Sequence, residues 1–144
     1  MPGRVLGVDL GTKRVGIAMT DSGGTLASPH KVLPRTPQLY REIAAIVDDW
    51  EVEQIVVGLP LNMDGSTGPS ARSALADVER LRDTLSVPVD TYDERLTTVS
   101  ADRYLQEAGM NSKKRRAVID MVAAAVILDS WLDLQKKRKE EEAQ

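Results

Sequence analysis

Three carboxylates in this 144-residue chain stand where carboxylates are rarely tolerated. Asp9 sits in Val5-Leu6-Gly7-Val8-Asp9-Leu10-Gly11, among apolar residues and glycines. Glu94 follows the expected strand Val87–Tyr92, inside Asp93-Glu94-Arg95, and Asp120 lies within Ala117–Leu128, which is otherwise apolar nearly all round. A lone buried carboxylate costs several kcal/mol unless it is hydrogen-bonded, paired or bound to a metal. Thiolate sites are excluded because there is no cysteine, and the single histidine, His30, cannot make a histidine-based zinc site. A metal here would be held by oxygen, which favours Mg2+ or Mn2+. Three converging acids would hold one or two such ions, the arrangement that activates a water and stabilises the leaving oxygen in phosphodiester cleavage.

Each acid also has a bland explanation. Asp9 would then be a turn or edge residue, Glu94 a solvated loop acid, and Asp120 half of a salt bridge to Arg116, one helical turn back. Asp93 competes with Glu94, and spacing alone does not separate them.

The elements that must position these groups begin with a hairpin. Alternation along a strand puts Leu6, Val8 and Leu10 on one face and Gly7, Asp9 and Gly11 on the other. The return strand repeats the division, with Val15, Ile17 and Met19 against Gly16, Ala18 and Thr20. The face carrying Asp9 is nearly bare, which implies close approach of a metal, a phosphate or a helix, because strand glycines pack nothing themselves. A third strand is expected over Leu26–Leu33, at an edge because of Pro29. Thr36-Pro37 reads as an N-cap with proline at the first helical position, opening a helix that ends near Trp50.

A buried strand is expected at Gln54–Gly58, followed by a loop over Leu59–Gly68 at the edge where α/β sheets bind ligands. That loop is read as a gate over substrate. Pro69 opens a second helix with Ala71, Leu75, Val78, Leu81 and Leu85 as its buried stripe, and Val87–Tyr92 is the fifth strand. Thr97 or Thr98 would cap a third helix through Ala108, and the longest helix would run from about Lys113 to Lys137. The reading is an α/β fold, a mixed five-stranded sheet of an antiparallel meander plus parallel strands, flanked by helices and with the first strand central. Residues 1–137 would form one domain and residues 138–144 a charged, frayed tail.

Composition narrows the function. No apolar run approaches the roughly 20 residues needed to span a bilayer, and the N-terminus lacks a secretory pattern, so a cytoplasmic protein without a membrane partner is expected. A net charge of −3 argues against bulk coating of nucleic acid, and five tryptophans and tyrosines make a poor base-stacking platform. Cations nevertheless accompany each acid in sequence. Lys13 and Arg14 follow Asp9, Arg95 adjoins Glu94, Lys113 and Arg116 precede Asp120, and Arg72 lies one turn into the second helix. These six are the candidates for contacting substrate phosphates.

Gly7–Ala18, Gly58-Leu59-Pro60, Asn62-Met63-Asp64-Gly65, Asp93–Thr98 and Asp120 with Ala123-Ala124 together resemble the YqgF/RuvX family across almost the whole chain. That family's members are described as Holliday-junction resolvases and as nucleases for the 5′ end of pre-16S rRNA. The resemblance implies an RNase H-like fold, a divalent-metal-dependent endonuclease acting on branched DNA or precursor rRNA, and Asp9, Glu94 and Asp120 as the catalytic, metal-holding acids. It selects Glu94 over Asp93. A homodimer would suit a resolvase, with Trp131, Leu132 and Leu134 as contact candidates. Two other classes compete. One is a single ATP-binding lobe related to actin and the sugar kinases, whose phosphate loop resembles Asp9–Thr12. The other is a non-catalytic RNA-binding or assembly module.

Overall fold

The computed structural model describes residues 3–97 and 113–143, with side chains in the final helix from Ile119 onward. Strands β1 (Arg4–Leu10), β2 (Arg14–Thr20) and β3 (Ala27–Pro34) form the meander. Helix α1 (Leu39–Asp49), strand β4 (Val52–Leu59), helix α2 (Pro69–Thr84) and strand β5 (Val89–Asp93) follow, then a single 3-10 turn (Glu94–Leu96) and the long helix α3 (Lys113–Glu142). The sheet order is β3-β2-β1-β4-β5. Strand β1 is central, antiparallel to β2 and parallel to β4, which is parallel to β5. The C-terminal ends of β1, β4 and β5 therefore share one edge of the sheet.

The alternation in the hairpin divides the molecule into two cores. Leu6, Val8, Val15, Ile17, Ile55 and Val57 pack with Leu39, Ile43 and Val47 of α1 and Val78 and Leu81 of α2. On the opposite face Val5, Ala18, Val56 and Tyr92 meet Ala124, Ile127, Leu128 and Trp131 of α3. Helix α3 lies almost on the strand backbone, and this is what the bare face is for. A Cβ on Gly16 would stand 2.0 Å from the carbonyl oxygen of Asp120. The alanines of α3 complete the approach.

Several boundaries differ from the sequence reading, each for a local reason. Helix α1 starts two residues beyond Pro37. Thr36 instead shapes a turn, its Oγ1 accepting from the Gln38 amide (3.2 Å) and its carbonyl from the Leu39 amide (3.0 Å). Strand β3 is an edge strand as expected, but it runs one residue later and absorbs Pro29 at a register irregularity opposite Ala18. In α2 the buried stripe is Ala71, Ala74, Asp77, Val78 and Leu81, whereas Leu75 is exposed. Helix α3 continues to Glu142, five residues past the expected end. Trp131, proposed as a dimer contact, is buried against β5 and donates its Nε1–H to Asp90 (3.1 Å), and Leu132 and Leu134 pack partly on the same core. The helix expected between Thr97 or Thr98 and Ala108 falls outside the described residues. No helix among the described residues is long and apolar enough to cross a membrane.

Gly16→Ala must push α3 off the sheet, because the opposing atom is backbone. The expected loss is about 1–3 kcal/mol, read by urea denaturation. Gly23→Ala, whose Cβ would meet only a Thr25 methyl at 3.9 Å, is expected to change stability by less than about 0.5 kcal/mol.

Candidate active site

Asp9 occupies the penultimate position of β1 and is 4% exposed. Its strand partner is Gly16, so its side chain shares the face on which α3 lies. The parallel register pairs Val8 with Val57, which puts Gly58 of β4 beside Asp9 on that face. Glu94, the first residue of the 3-10 turn, is 1% exposed, and its side chain lies against Gly58, where a Cβ would stand 3.2 Å from the carboxyl carbon. A side chain at position 58 would collide with Ile127 Cδ1 at 2.5 Å and crowd Glu94, so the glycine lets α3 and Glu94 close over β4 here.

Asp93 and Glu94, equivalent by spacing, are separated by their partners. Asp93 caps the 3-10 turn, accepting from the Arg95 amide at 2.9 Å and from the Arg95 guanidinium at 2.6–3.1 Å. Those bonds hold its carboxyl below the usual range. Glu94 is turned inward, and burial, with the Asp93 charge as a second cause, pushes its carboxyl up to about 7. A buried acid poised near neutrality at the C-terminal edge of a parallel sheet is a functional-site signature.

Asp120 is on the same side of the sheet but engaged elsewhere, since its Oδ2 accepts from Arg14 Nε at 2.9 Å. The ion-pair partner is thus Arg14, from the hairpin, and the side chain of Arg116 lies outside the described residues. Among the described residues no three acidic or histidine side chains are gathered closely enough to form a metal-holding cluster. Three carboxylates repel one another at short range, and Arg14 offers Asp120 a cation.

The candidate phosphate contacts divide in the same way. Lys13 is exposed in the turn between β1 and β2. Arg14 is committed to Asp120. Arg95 binds Asp93 and the Met63 carbonyl (3.3 Å), tying the loop after β4 to the turn that carries Glu94. Arg72 reaches back to the Thr67 carbonyl at 3.4 Å. The side chains of Lys113 and Arg116 lie outside the described residues. The loop after β4 is stitched from within. The Asn62 amide donates to the Ser66 carbonyl, Ser66 donates to Asp64 through both its amide and its hydroxyl, and Gly65 takes a φ of 87°.

A network invisible to sequence reasoning joins Arg35, Tyr40 and Asp77 behind this edge. Its one local signal is Asp77 itself, an acid on the apolar stripe of α2 between Ala74 and Leu81.

The family model described as RuvX, Holliday junction resolvase, matches residues 3–134. The chain belongs to the RuvX family. A Halothermothrix orenii relative is 45% identical over 136 residues, covering 93% of this chain and 97% of its own length. A Mycobacterium leprae relative is 46% identical over 134 residues, covering 91% and 73%. Both are named as candidate pre-16S rRNA nucleases. Among solved structures, Thermus thermophilus RuvC in complex with a Holliday junction superposes with a TM-score of 0.58 at 15% identity, covering 93% of this chain and 96% of that one. The fowlpox virus resolvase with its Holliday junction DNA gives 0.53 at 12% identity, covering 92% and 98%. At such identities the likeness is one of fold, and the RuvX chain has the RNase H-like architecture that the family resemblance implies.

Glu94 also makes stability pH-dependent in a definite sense. A carboxyl raised from 4.5 to about 7 keeps its proton in the folded chain after the unfolded chain has lost it. Its favourable contribution is complete below about pH 4.5 and is lost as pH rises through 7. In chelator, Glu94→Gln should therefore be more stable than wild type at pH 8, by on the order of 2–3 kcal/mol, and nearly equal at pH 4.5. Urea denaturation at the two pH values measures this, and a less stable Gln variant at pH 8 would mean that Glu94 is held charged by a cation.

Proposed function

We propose that this RuvX chain is a divalent-metal-dependent nuclease that hydrolyses phosphodiester bonds in structured nucleic acid. The single observation that carries the reading is the pair of buried carboxylates, Asp9 and Glu94, on one face of the sheet where β1, β4 and β5 end. The residues fit a hard cation, because the donors are all oxygen and a cation beside Glu94 would offset the cost of burying its charge. Asp9 and Glu94 would hold the ion, and Asp120 would join them on leaving Arg14. Such an ion, Mg2+ or Mn2+, neutralises charge on the phosphodiester and makes water a better nucleophile.

The chain's own groups do the rest. Lys13, exposed beyond the end of β1, meets a phosphate and sets the register of the strand to be cut. Arg14, once free of Asp120, adds a second cation beside it. The Asp93–Arg95 pair holds the 3-10 turn, so Glu94 keeps its orientation when the substrate docks. Arg72 extends the positive edge along the first turn of α2.

Precursor rRNA is the favoured substrate. The relatives named for it share nearly half the sequence, whereas the solved RuvC and fowlpox resolvases share the fold alone. A single rRNA end needs one site, while a four-way junction needs two related by symmetry, so a monomer in sedimentation that stays monomeric with junction DNA would count against the junction and leave rRNA ahead. The test incubates purified protein with a pre-16S rRNA 5′ fragment and with a four-way DNA junction, each in manganese and in EDTA. Cleavage of the rRNA fragment in manganese alone is expected, and Asp9→Asn should lower it by roughly two orders of magnitude or more while leaving the fold intact. Equal cleavage by wild type and variant, or cleavage that persists in EDTA, would overturn the reading.

A further inference from the structure

Asp77 lies in the middle of α2, away from the carboxylate edge, yet it is only 5% exposed and heavily engaged. It accepts from both terminal nitrogens of Arg35, at 3.2 and 3.0 Å, and from the Tyr40 hydroxyl. The remaining side-chain donor of Arg35, Nε, reaches the Gly11 carbonyl at 2.8 Å. The Arg35 backbone amide donates to the Lys13 carbonyl at 3.0 Å. One residue therefore grips the β1–β2 turn at two carbonyls while its guanidinium fork is anchored on α2.

That turn is short and crowded. The Gly11 amide closes it onto the Arg14 carbonyl at 2.9 Å, and a Cβ on Gly11 would stand 2.4 Å from that same oxygen. It follows Asp9 by two residues, exposes Lys13, and leads into Arg14, whose guanidinium reaches Asp120. A buried ion pair adds little net stability over an apolar replacement, so the consequence of this one lies in the geometry it imposes. Only a guanidinium fits, since a planar fork can engage a carboxylate with two nitrogens and a separate carbonyl with the third.

We propose that Arg35, anchored by Asp77 and Tyr40, is a positioning residue that fixes the β1–β2 turn and so presents Lys13 and Arg14 to substrate phosphates in one orientation. The inference rests on reading this edge as a nuclease site. It acts through Lys13 and Arg14, and Arg35 itself touches no substrate.

Arg35→Lys tests it, because the charge on Asp77 stays matched while the bond to Gly11 is released. Amide hydrogen exchange in EDTA should become roughly fivefold faster or more across residues 11–14, the equivalent of one lost hydrogen bond, with β4 amides unchanged. Affinity for the precursor rRNA fragment, measured without turnover, should weaken by a similar factor. In a Lys13→Ala, Arg14→Ala background the same change should cost less than about twofold, because both of its targets are already gone. Unaltered exchange at residues 11–14 would overturn the clamp. Faster exchange with full affinity, or a loss that simply adds to that of the Lys13→Ala, Arg14→Ala pair, would overturn the positioning role and leave a structural ion pair. If Arg35→Lys does not fold, Asp77→Asn, which retains an acceptor for the guanidinium, is judged by the same criteria. Absence of any nucleic-acid binding by wild type would instead sink the nuclease reading, and the exchange rates would still decide whether Arg35 holds the turn.

Discussion

The contact on which this molecule depends is that of a helix backbone with a strand backbone. Helix α3 sits so close to the β1–β2 hairpin that Gly16 has no room for a single methyl group. Close packing of this kind gathers many weak dispersion contacts, and it forces the strand face to be built from glycine and alanine. One consequence is functional. A bare face leaves Asp9 standing among small neighbours, and it lets α3 deliver Asp120 beside the same hairpin. Gly58 does for β4 what Gly16 does for β2, since Ile127 of α3 and the Glu94 side chain take the space that its side chain would fill.

Burial of charge follows from that geometry and gives the edge its chemistry. Glu94 is almost fully enclosed beside another acid, and its carboxyl rises to about 7 in consequence. Asp93 next to it is held down by Arg95, and Asp120 is neutralised by Arg14. The two adjacent acids at the end of β5 thus have opposite fates. One is spent on local structure and the other is turned inward and buried. Arginines expected to contact substrate prove to be partly structural in the same way, whereas the Lys13 side chain is exposed at this edge.

What was legible in the sequence is what repeats at short range. Period-two alternation in Val5–Thr20 gave both faces of the hairpin, and the glycines on one of them announced a close neighbour. The three acids were conspicuous because each broke a local pattern, and the family resemblance separated Glu94 from Asp93 where spacing could not. In the structure the two differ in their partners, since Asp93 accepts a capping bond from the Arg95 amide while Glu94 is buried. Pairings between distant residues were not legible. Arg14 and Asp120 are 106 positions apart, and Arg35 and Asp77 are 42 apart, so no local periodicity links them. The stripe of α2 was misread for a related reason. Ala74 and Asp77 carry little hydrophobic signal, and Leu75 outweighed them although it faces solvent.

The central claim is that Asp9 and Glu94 are built to share a divalent cation at the C-terminal edge of the sheet. Anomalous diffraction at the manganese edge, from crystals grown with Mn2+, tests it most directly. The account requires a manganese peak bonded to carboxylate oxygens of both Asp9 and Glu94, with Asp120 turned from Arg14 toward it. Manganese bound elsewhere, or no peak while the Arg14–Asp120 pair persists at saturating metal, would contradict it.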